Sequence, residues 1–192
     1  MACRHRQGER EQTMTEPAEK PFIPVRFAVL TVSDSRSLAE DRSGDTLAGR
    51  IETAGHILAA RDILPDERDR IAARLRGWCA DPQIDAILTT GGTGLTGRDV
   101  TVEAHRDVYE KEIAAFTTVF TIVSMQKIGT SAVQSRACAG VAGGTYLFAL
   151  PGSPGACRDA WDEILGPQFD YRHRPCNFVE IMPRLDEHLR RK

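Results

Sequence analysis

The sequence predicts an α/β fold: a mostly parallel sheet, helices on both faces, and an antiparallel hairpin at one edge. Three observations carry this expectation. Apolar runs of strand length alternate with stretches of helical periodicity, and that alternation is solved by a parallel sheet covered on both sides. Polar loops follow three of the runs, at Ser33-Asp34-Ser35, Pro65-Asp66-Glu67 and Thr90-Gly91-Gly92-Thr93-Gly94. Gly143-Gly144 separates two further strand-like runs, a strong hairpin signal. A length of 192 residues suits one domain with a sizeable core. Its expected limits are 21–182, with a disordered tail over 1–20 and a charged tail over 183–192. The first tail is polar and mixed in charge, with too little apolar surface to bury; Met14 within it is an alternative start.

The first strand is expected over Arg26–Ser33, a continuous apolar run of the kind buried on both faces. Ser43 then caps a helix with Leu47, Ile51 and Ala54 on one face, ended by Gly55. His56–Leu64 is the second strand. Pro65-Asp66-Glu67 opens a helix that buries Ile71, Leu75 and Trp78, and Asp81-Pro82 breaks it. Ile84–Leu88 is the third strand and feeds the glycine loop. Thr101 caps the helix that follows, over Val102–Tyr109, with Glu103 in its first turn. Ile113–Lys127 is a longer helix, with Phe116, Phe120 and Val123 near one face and Gly129 as its stop. Ser135–Ala142 and Thr145–Leu150 form the hairpin strands. A second glycine loop, Pro151-Gly152-Ser153-Pro154-Gly155, leads into a helix capped by Ser153, with Pro154 in its first turn. Cys157, Trp161 and Ile164 lie on its buried side, and Gly166-Pro167 ends it.

Ligands of open parallel sheets bind beyond the carboxyl ends of the strands. The three polar loops fall at such ends, so they are expected to share one rim. Strand, glycine loop, then helix is how a backbone builds an anion site, because glycines let bare N–H groups approach a phosphate. Thr93 adds a hydroxyl and Asp99 a carboxylate able to meet a metal ion. Taken alone, the same residues also read as a flexible turn after a strand. The loop matches neither the dinucleotide fingerprint G-x-G-x-x-G nor the Walker loop. The missing fingerprint argues against a nucleotide-dependent oxidoreductase.

Composition narrows the class further. A formal charge of −2 offers no electrostatic reason to bind nucleic acid or an anionic membrane. No apolar stretch is long enough to span a bilayer. The beginning lacks a hydrophobic segment of secretory type. The cysteines, 5 in number, are scattered, with no C-x-x-C and no metal spacing, so reduced thiols in a cytoplasmic protein are expected. Cys138 and Cys157 read as core residues, and His105 and His173 as surface residues.

Several motifs together resemble a known family. These are Thr90-Gly91-Gly92-Thr93-Gly94 with Arg98-Asp99, then Leu150-Pro151-Gly152-Ser153-Pro154, together with Ser33-Asp34, Pro65-Asp66-Glu67 and Ser135-Arg136. In order and spacing they are similar to the molybdopterin adenylyltransferase family of molybdenum cofactor biosynthesis, the MoaB/MogA type. Arg174-Pro175-Cys176-Asn177-Phe178 points to the MoaB branch. The resemblance covers roughly Val25–Phe178. It departs from the family at Ala115, where glycine is commoner before Phe116.

The resemblance implies a three-layer α/β/α fold assembled as a homo-oligomer, a trimer or a hexamer made of two trimers. It implies magnesium-dependent adenylylation of molybdopterin by ATP, releasing pyrophosphate, with the product passed to a separate molybdenum-inserting enzyme. Asp66 and Asp99 would be the catalytic carboxylates and would hold or orient the magnesium ion. Gly91, Gly92, Thr93 and Gly94 would take the nucleotide phosphates, and Ser33, Ser135, Gly152 and Ser153 would line the pterin pocket. Glu112 matches an acidic family position but reads as a solvated helix charge. Some MoaB-branch members lack the acidic pair, so a non-catalytic molybdopterin-binding or scaffold protein is the alternative. The presence of both Asp66 and Asp99 favours the enzyme.

Overall fold

The computed structural model describes residues 20–190. The tail expected over 1–20 therefore lies outside the described residues except for Lys20, as do the last two residues of the one expected over 183–192. In chain order the main elements are β1 (Arg26–Val32), α1 (Arg42–Thr53), β2 (Ile57–Leu64), α2 (Arg68–Cys79) and β3 (Ala86–Thr90). Next come α3 (Thr101–Arg106), β4 (Lys111–Glu112), α4 (Ala114–Ile128), β5 (Cys138–Ala142) and β6 (Thr145–Leu150). The chain ends with α5 (Pro154–Ala160), α6 (Gly166–Phe169), α7 (Phe178–Ile181) and α8 (Glu187–Arg190).

One six-stranded sheet runs in the order β2-β1-β3-β6-β5-β4. β2, β1, β3 and β6 are parallel, and β5 and β4 are antiparallel additions at one edge. This is the expected α/β fold, with three layers. β1 shows why both faces must be covered. Phe27 and Val29 pack on one side with Leu47, Ile51, Phe148 and Trp161, and Ala28 and Leu30 on the other with Ile71, Leu75 and Leu147. Complete burial of a side chain such as Leu47 contributes about 1.5–3 kcal/mol, so two such faces outweigh any local preference. Gly143 and Gly144 have φ of +58° and +87°, the conformation that a two-residue turn between antiparallel strands requires.

The structure moves several expected boundaries. Asp41, not Ser43, caps α1, its carboxylate accepting the Gly44 N–H at 2.9 Å. Ser43 is the second residue of the helix, its hydroxyl donating to Asp41 at 3.2 Å. Ala54 is exposed beyond the helix. β3 runs two residues later than expected because Thr89 and Thr90 pair with Ala149 and Leu150 of β6, and their buried hydroxyls find partners. Thr101 is the first residue of α3 rather than its cap, and its N–H bonds the Gly92 carbonyl at 2.9 Å. β5 begins at Cys138, since Gly129–Gln134 forms 3-10 turns and Ser135 closes them. Glu112 is on β4 instead of a helix and meets Arg106 at 3.4 Å. Gly166-Pro167 does not end the helix begun at Pro154. Trp161–Leu165 widens into a π turn in which the Gly166 N–H reaches the Trp161 carbonyl, and Pro167 enters α6 where no N–H is needed. Ala115 lies within α4, so the family's commoner glycine has no conformational purpose there.

Candidate active site

The three polar loops do share one rim. A cleft of about 330 Å³ opens beyond the carboxyl ends of β1, β2, β3 and β6, lined among others by Ser33, Asp66, Gly91, Gly92, Asp99 and Gly152. Two glycine loops form its floor, backbone against backbone. Gly91 has φ +99°, and its Cβ would lie 2.2 Å from the Val32 carbonyl oxygen. Its N–H bonds the Leu150 carbonyl at 3.0 Å. A Cβ on Gly152 would come 3.0 Å from the Gly91 Cα. The two loops approach this closely only because neither carries a side chain at the contact.

Three carboxylates face the cleft with two arginines. Asp34, on the loop after β1, forms a bidentate pair with Arg98 of the glycine loop, at 3.0 and 2.7 Å. It also accepts the Asp66 backbone N–H at 3.1 Å. Asp34 thus ties together the loops after β1, β2 and β3. The Arg98 guanidinium, then the Asp66 N–H, holds its carboxyl below the usual range. Asp66 is pushed the other way: burial first, then the charges of Asp34 and Asp99, raise its pKa. Arg36 lines the cleft and makes no ion pair among the described residues.

Asp99 lines the cleft too, with one carboxylate oxygen, Oδ2, engaged. It accepts the Thr96 hydroxyl at 2.6 Å and the Thr96 N–H at 2.8 Å, closing the turn that ends the glycine loop. The Thr96 hydroxyl is the main reason its carboxyl lies below the ordinary range, with the Thr96 and Gly94 N–H groups and Arg136 adding to it against some desolvation.

Other expected site residues are placed differently. Thr93 is buried, outside the cleft lining, and Gly94 packs on Asp99. Ser153 caps α5 by accepting the Ala156 N–H at 3.1 Å, and neither it nor Ser135 lines the cleft. Ser33 lines it while its hydroxyl accepts the Arg36 N–H at 3.2 Å.

Arg136 enters the sequence motifs only beside Ser135 and with no role of its own, yet it holds the glycine loop. Its Nε donates to the Thr93 and Gly94 carbonyls at 3.1 and 2.8 Å, and one Nη to the Asp99 carbonyl at 3.1 Å. The same guanidinium forms a bidentate pair with Glu103 of α3. Asp41 was missed too. Burial opposes its charge, but the Thr31 hydroxyl, Arg61 and the Gly44 N–H overcome burial and hold its carboxyl below the usual range. The available signal was an aspartate three residues before a glycine at the start of a helical pattern.

His105, expected at the surface, is completely buried under the loop. Its ring nitrogens lie 2.8 Å from the Thr89 hydroxyl and 3.0 Å from the Tyr109 hydroxyl. Burial lowers its pKa to about 3, so the ring is neutral. Cys138 and Cys157 are buried as expected, with thiols pushed up to about 11 by desolvation, which leaves them poor nucleophiles.

Magnesium is bound through one or two carboxylates together with substrate phosphates. Asp66 fits that requirement, because a cation would offset the crowding of negative charge from Asp34 and Asp99. Among the described residues no three His, Cys, Asp or Glu side chains are grouped to hold a metal by themselves. A cation here would complete its shell with substrate oxygens.

The fold and cleft define a three-layer α/β protein with an open cleft at the carboxyl edge of its sheet. Residues 28–171 match a family described as a probable molybdopterin binding domain. The chain is 46% identical over 157 residues to molybdenum cofactor biosynthesis protein B of Escherichia coli strain K12, covering 82% of this chain and 92% of that protein. It is 42% identical over 151 residues to the protein of the same name from Bacillus subtilis strain 168, covering 78% and 88%. A crystal structure of a molybdenum cofactor biosynthesis protein B superposes with a TM-score of 0.77 at 34% identity, covering 89% of this chain and 99% of that one. The tungsten cofactor synthesizing protein MoaB from Pyrococcus furiosus gives 0.67 at 32% identity, over 76% and 93%. The chain therefore belongs to the MoaB/MogA family of molybdenum cofactor biosynthesis proteins. Among the described residues no helix is long and apolar enough to cross a membrane.

Proposed function

We propose that this protein adenylylates molybdopterin with ATP in a magnesium-dependent reaction. The observation that carries the reading is the convergence of Asp66 and Asp99 on the Gly91–Gly92 floor of one cleft. In the reaction the terminal phosphate oxygen of the pterin attacks the α-phosphorus of ATP. The bond from that phosphorus to the bridging oxygen breaks, and pyrophosphate leaves with its electron pair. Both reactants are anions, so the chain's work is positioning and charge neutralisation. The bare backbone of Gly91 and Gly92 admits phosphate close to the sheet, with Arg36 and Arg98 at the rim. Gly94 and Thr93 shape the loop from behind, where Arg136 holds their carbonyls. Ser33 and Gly152 line the side available to the pterin phosphate, while Ser135 and Ser153 act on the pocket through the loops they terminate or cap. Asp66 would hold the magnesium ion, with Asp99 beside it. Bound magnesium would screen the phosphate charges and stabilise the departing pyrophosphate.

One observation favours a second reading, the non-catalytic binding protein: both Thr96 contacts fall on Oδ2 of Asp99, which leaves only Oδ1 to meet a cation. Incubation with molybdopterin, ATP and magnesium, followed by chromatography and mass measurement, separates the two. Adenylylated pterin that is lost without magnesium and in Asp66→Asn supports the enzyme. No product, with molybdopterin still bound, supports the binding protein.

The same reading includes a cytoplasmic homo-oligomer, trimeric or hexameric, that hands its product to a molybdenum-inserting enzyme. α4 supports self-association. Phe116 and Phe120 pack inward, but Val119, Ile122, Met125 and Ile128 are exposed on its other side. A helix apolar all round is one that gets buried.

A further inference from the structure

Gly92 is the point where two polar side chains converge. A Cβ built on it would lie 2.4 Å from Oδ1 of Asp66 and 2.4 Å from Oγ1 of Thr101. Both oxygens therefore crowd the same point beside the bare Cα. The backbone fixes this arrangement, because the Thr101 N–H bonds the Gly92 carbonyl at 2.9 Å and Gly92 has φ +62°. Thr101 is 0% exposed, and its hydroxyl has no hydrogen-bond partner among the described residues. Buried hydroxyls without partners are rare and unfavourable, because the group has given up water for nothing. A valine would fill the same space without that cost. The threonine hydroxyl has a purpose only if some state of the protein offers it an acceptor. The acceptor that shares this point with it is the Asp66 carboxylate; the third group there is a Val32 methyl, 3.0 Å away.

We propose that Thr101 is a positioning residue for Asp66: its hydroxyl donates to the Asp66 carboxylate when that side chain turns to hold a cation. This rests on the assignment of Asp66 to the magnesium–phosphate end of the cleft. The bond would fix one carboxylate oxygen against the floor and leave the other facing the ligand. It would also explain why position 92 carries no side chain, since a Cβ would crowd both partners.

The test is MgATP binding by calorimetry, alongside thermal unfolding, for the full chain and for Thr101→Val and Thr101→Ser. Thr101→Val is expected to bind MgATP about tenfold more weakly, the worth of one hydrogen bond to a charged acceptor. Its binding of ATP in EDTA should be unchanged, and its melting temperature equal to the wild type's or higher. Thr101→Ser should keep wild-type MgATP binding. In an Asp66→Asn background Thr101→Val should have no further effect. Unchanged MgATP binding in Thr101→Val overturns the proposal. So does equal weakening with and without magnesium accompanied by a lower melting temperature, which is a packing role. Wild-type protein that binds ATP no better with magnesium overturns the magnesium assignment of Asp66 itself, and this proposal with it.

Discussion

Arg136 is the residue on which the shape of the glycine loop depends most, and removing it has a calculable effect. Its guanidinium donates to the carbonyls of Thr93, Gly94 and Asp99 and pairs with Glu103. Bonds to a charged donor contribute about 1.5–3 kcal/mol each when sheltered. The side chain is 29% exposed, so water takes over part of the loss in Arg136→Ala. About 1 kcal/mol per carbonyl, or about 3 kcal/mol together, remains after that discount. For a chain of this size that lowers the melting temperature by about 6–12 °C. Arg136→Lys should recover only a small part, since one ammonium cannot span three carbonyls and a carboxylate in the plane that a guanidinium occupies. Loosening the loop also displaces the cleft floor, and a shift of about 1 Å in a positioned group costs on the order of a hundredfold in rate. Circular-dichroism melts read the first effect, and MgATP titration with adenylylation rates the second. A melting temperature within about 2 °C of wild type, with unchanged MgATP affinity, would refute the reasoning and show that the loop holds itself.

Three further outcomes are expected. Asp66→Asn should melt above the wild type at pH 7.5 and level with it near pH 3, because a raised carboxyl pKa means that folded stability falls as pH climbs from the unfolded value to the folded one. His105 behaves oppositely to Asp66: its pKa is lowered to about 3, so the unfolded chain takes up the proton first and stability falls as pH drops from about 6.5. Urea midpoints at pH 7.5 and 5.0 should therefore diverge in the wild type and less so in His105→Gln, with the second lowered histidine, His56, keeping part of the slope. Ile122→Glu, at a position 54% exposed, should reduce the particle size seen by light scattering while leaving the melt of the secondary structure cooperative.

Much of the fold was legible because its signals are local. β6 runs over Thr145–Leu150 as its unbroken apolar run implies, and α2 buries Ile71, Leu75 and Trp78 as their spacing requires. Gly143-Gly144 and Gly91-Gly92 adopt positive φ, which few residues other than glycine tolerate. Elements set by partners distant in sequence were harder to read. Asp41 displaced Ser43 as the cap of α1 because Thr31 and Arg61 bring it two further bonds from β1 and β2. The helix after Ser153 passes Pro167 because a π turn absorbs the missing N–H, and nothing local distinguishes that from a stop. β4 is only two residues long and exists because β5 offers it an edge.

The candidate site divides along the same line. Its location followed from three loops at strand ends; Asp99 and Gly91–Gly94 stood out in one of these loops, and the role of Asp66 came from the family resemblance. The residues that hold the loops could not be found that way. A sequence shows which side chains can form hydrogen bonds, not which do. His105 reads as a surface residue, and Arg136 as a motif residue without a role, until the hydroxyl of Thr89 and the carbonyls of Thr93 and Gly94 are placed beside them. Asp66 and Thr101 belong to a third group, in which the local contacts work against stability. Asp66 is desolvated and crowded by like charge, and the Thr101 hydroxyl is buried without a partner among the described residues. Selection for stability alone would replace both, with asparagine and valine. Two uncompensated costs against the same glycine are best explained by a ligand-bound state that satisfies both, so the variants that stabilise the free protein should be the ones that lose MgATP.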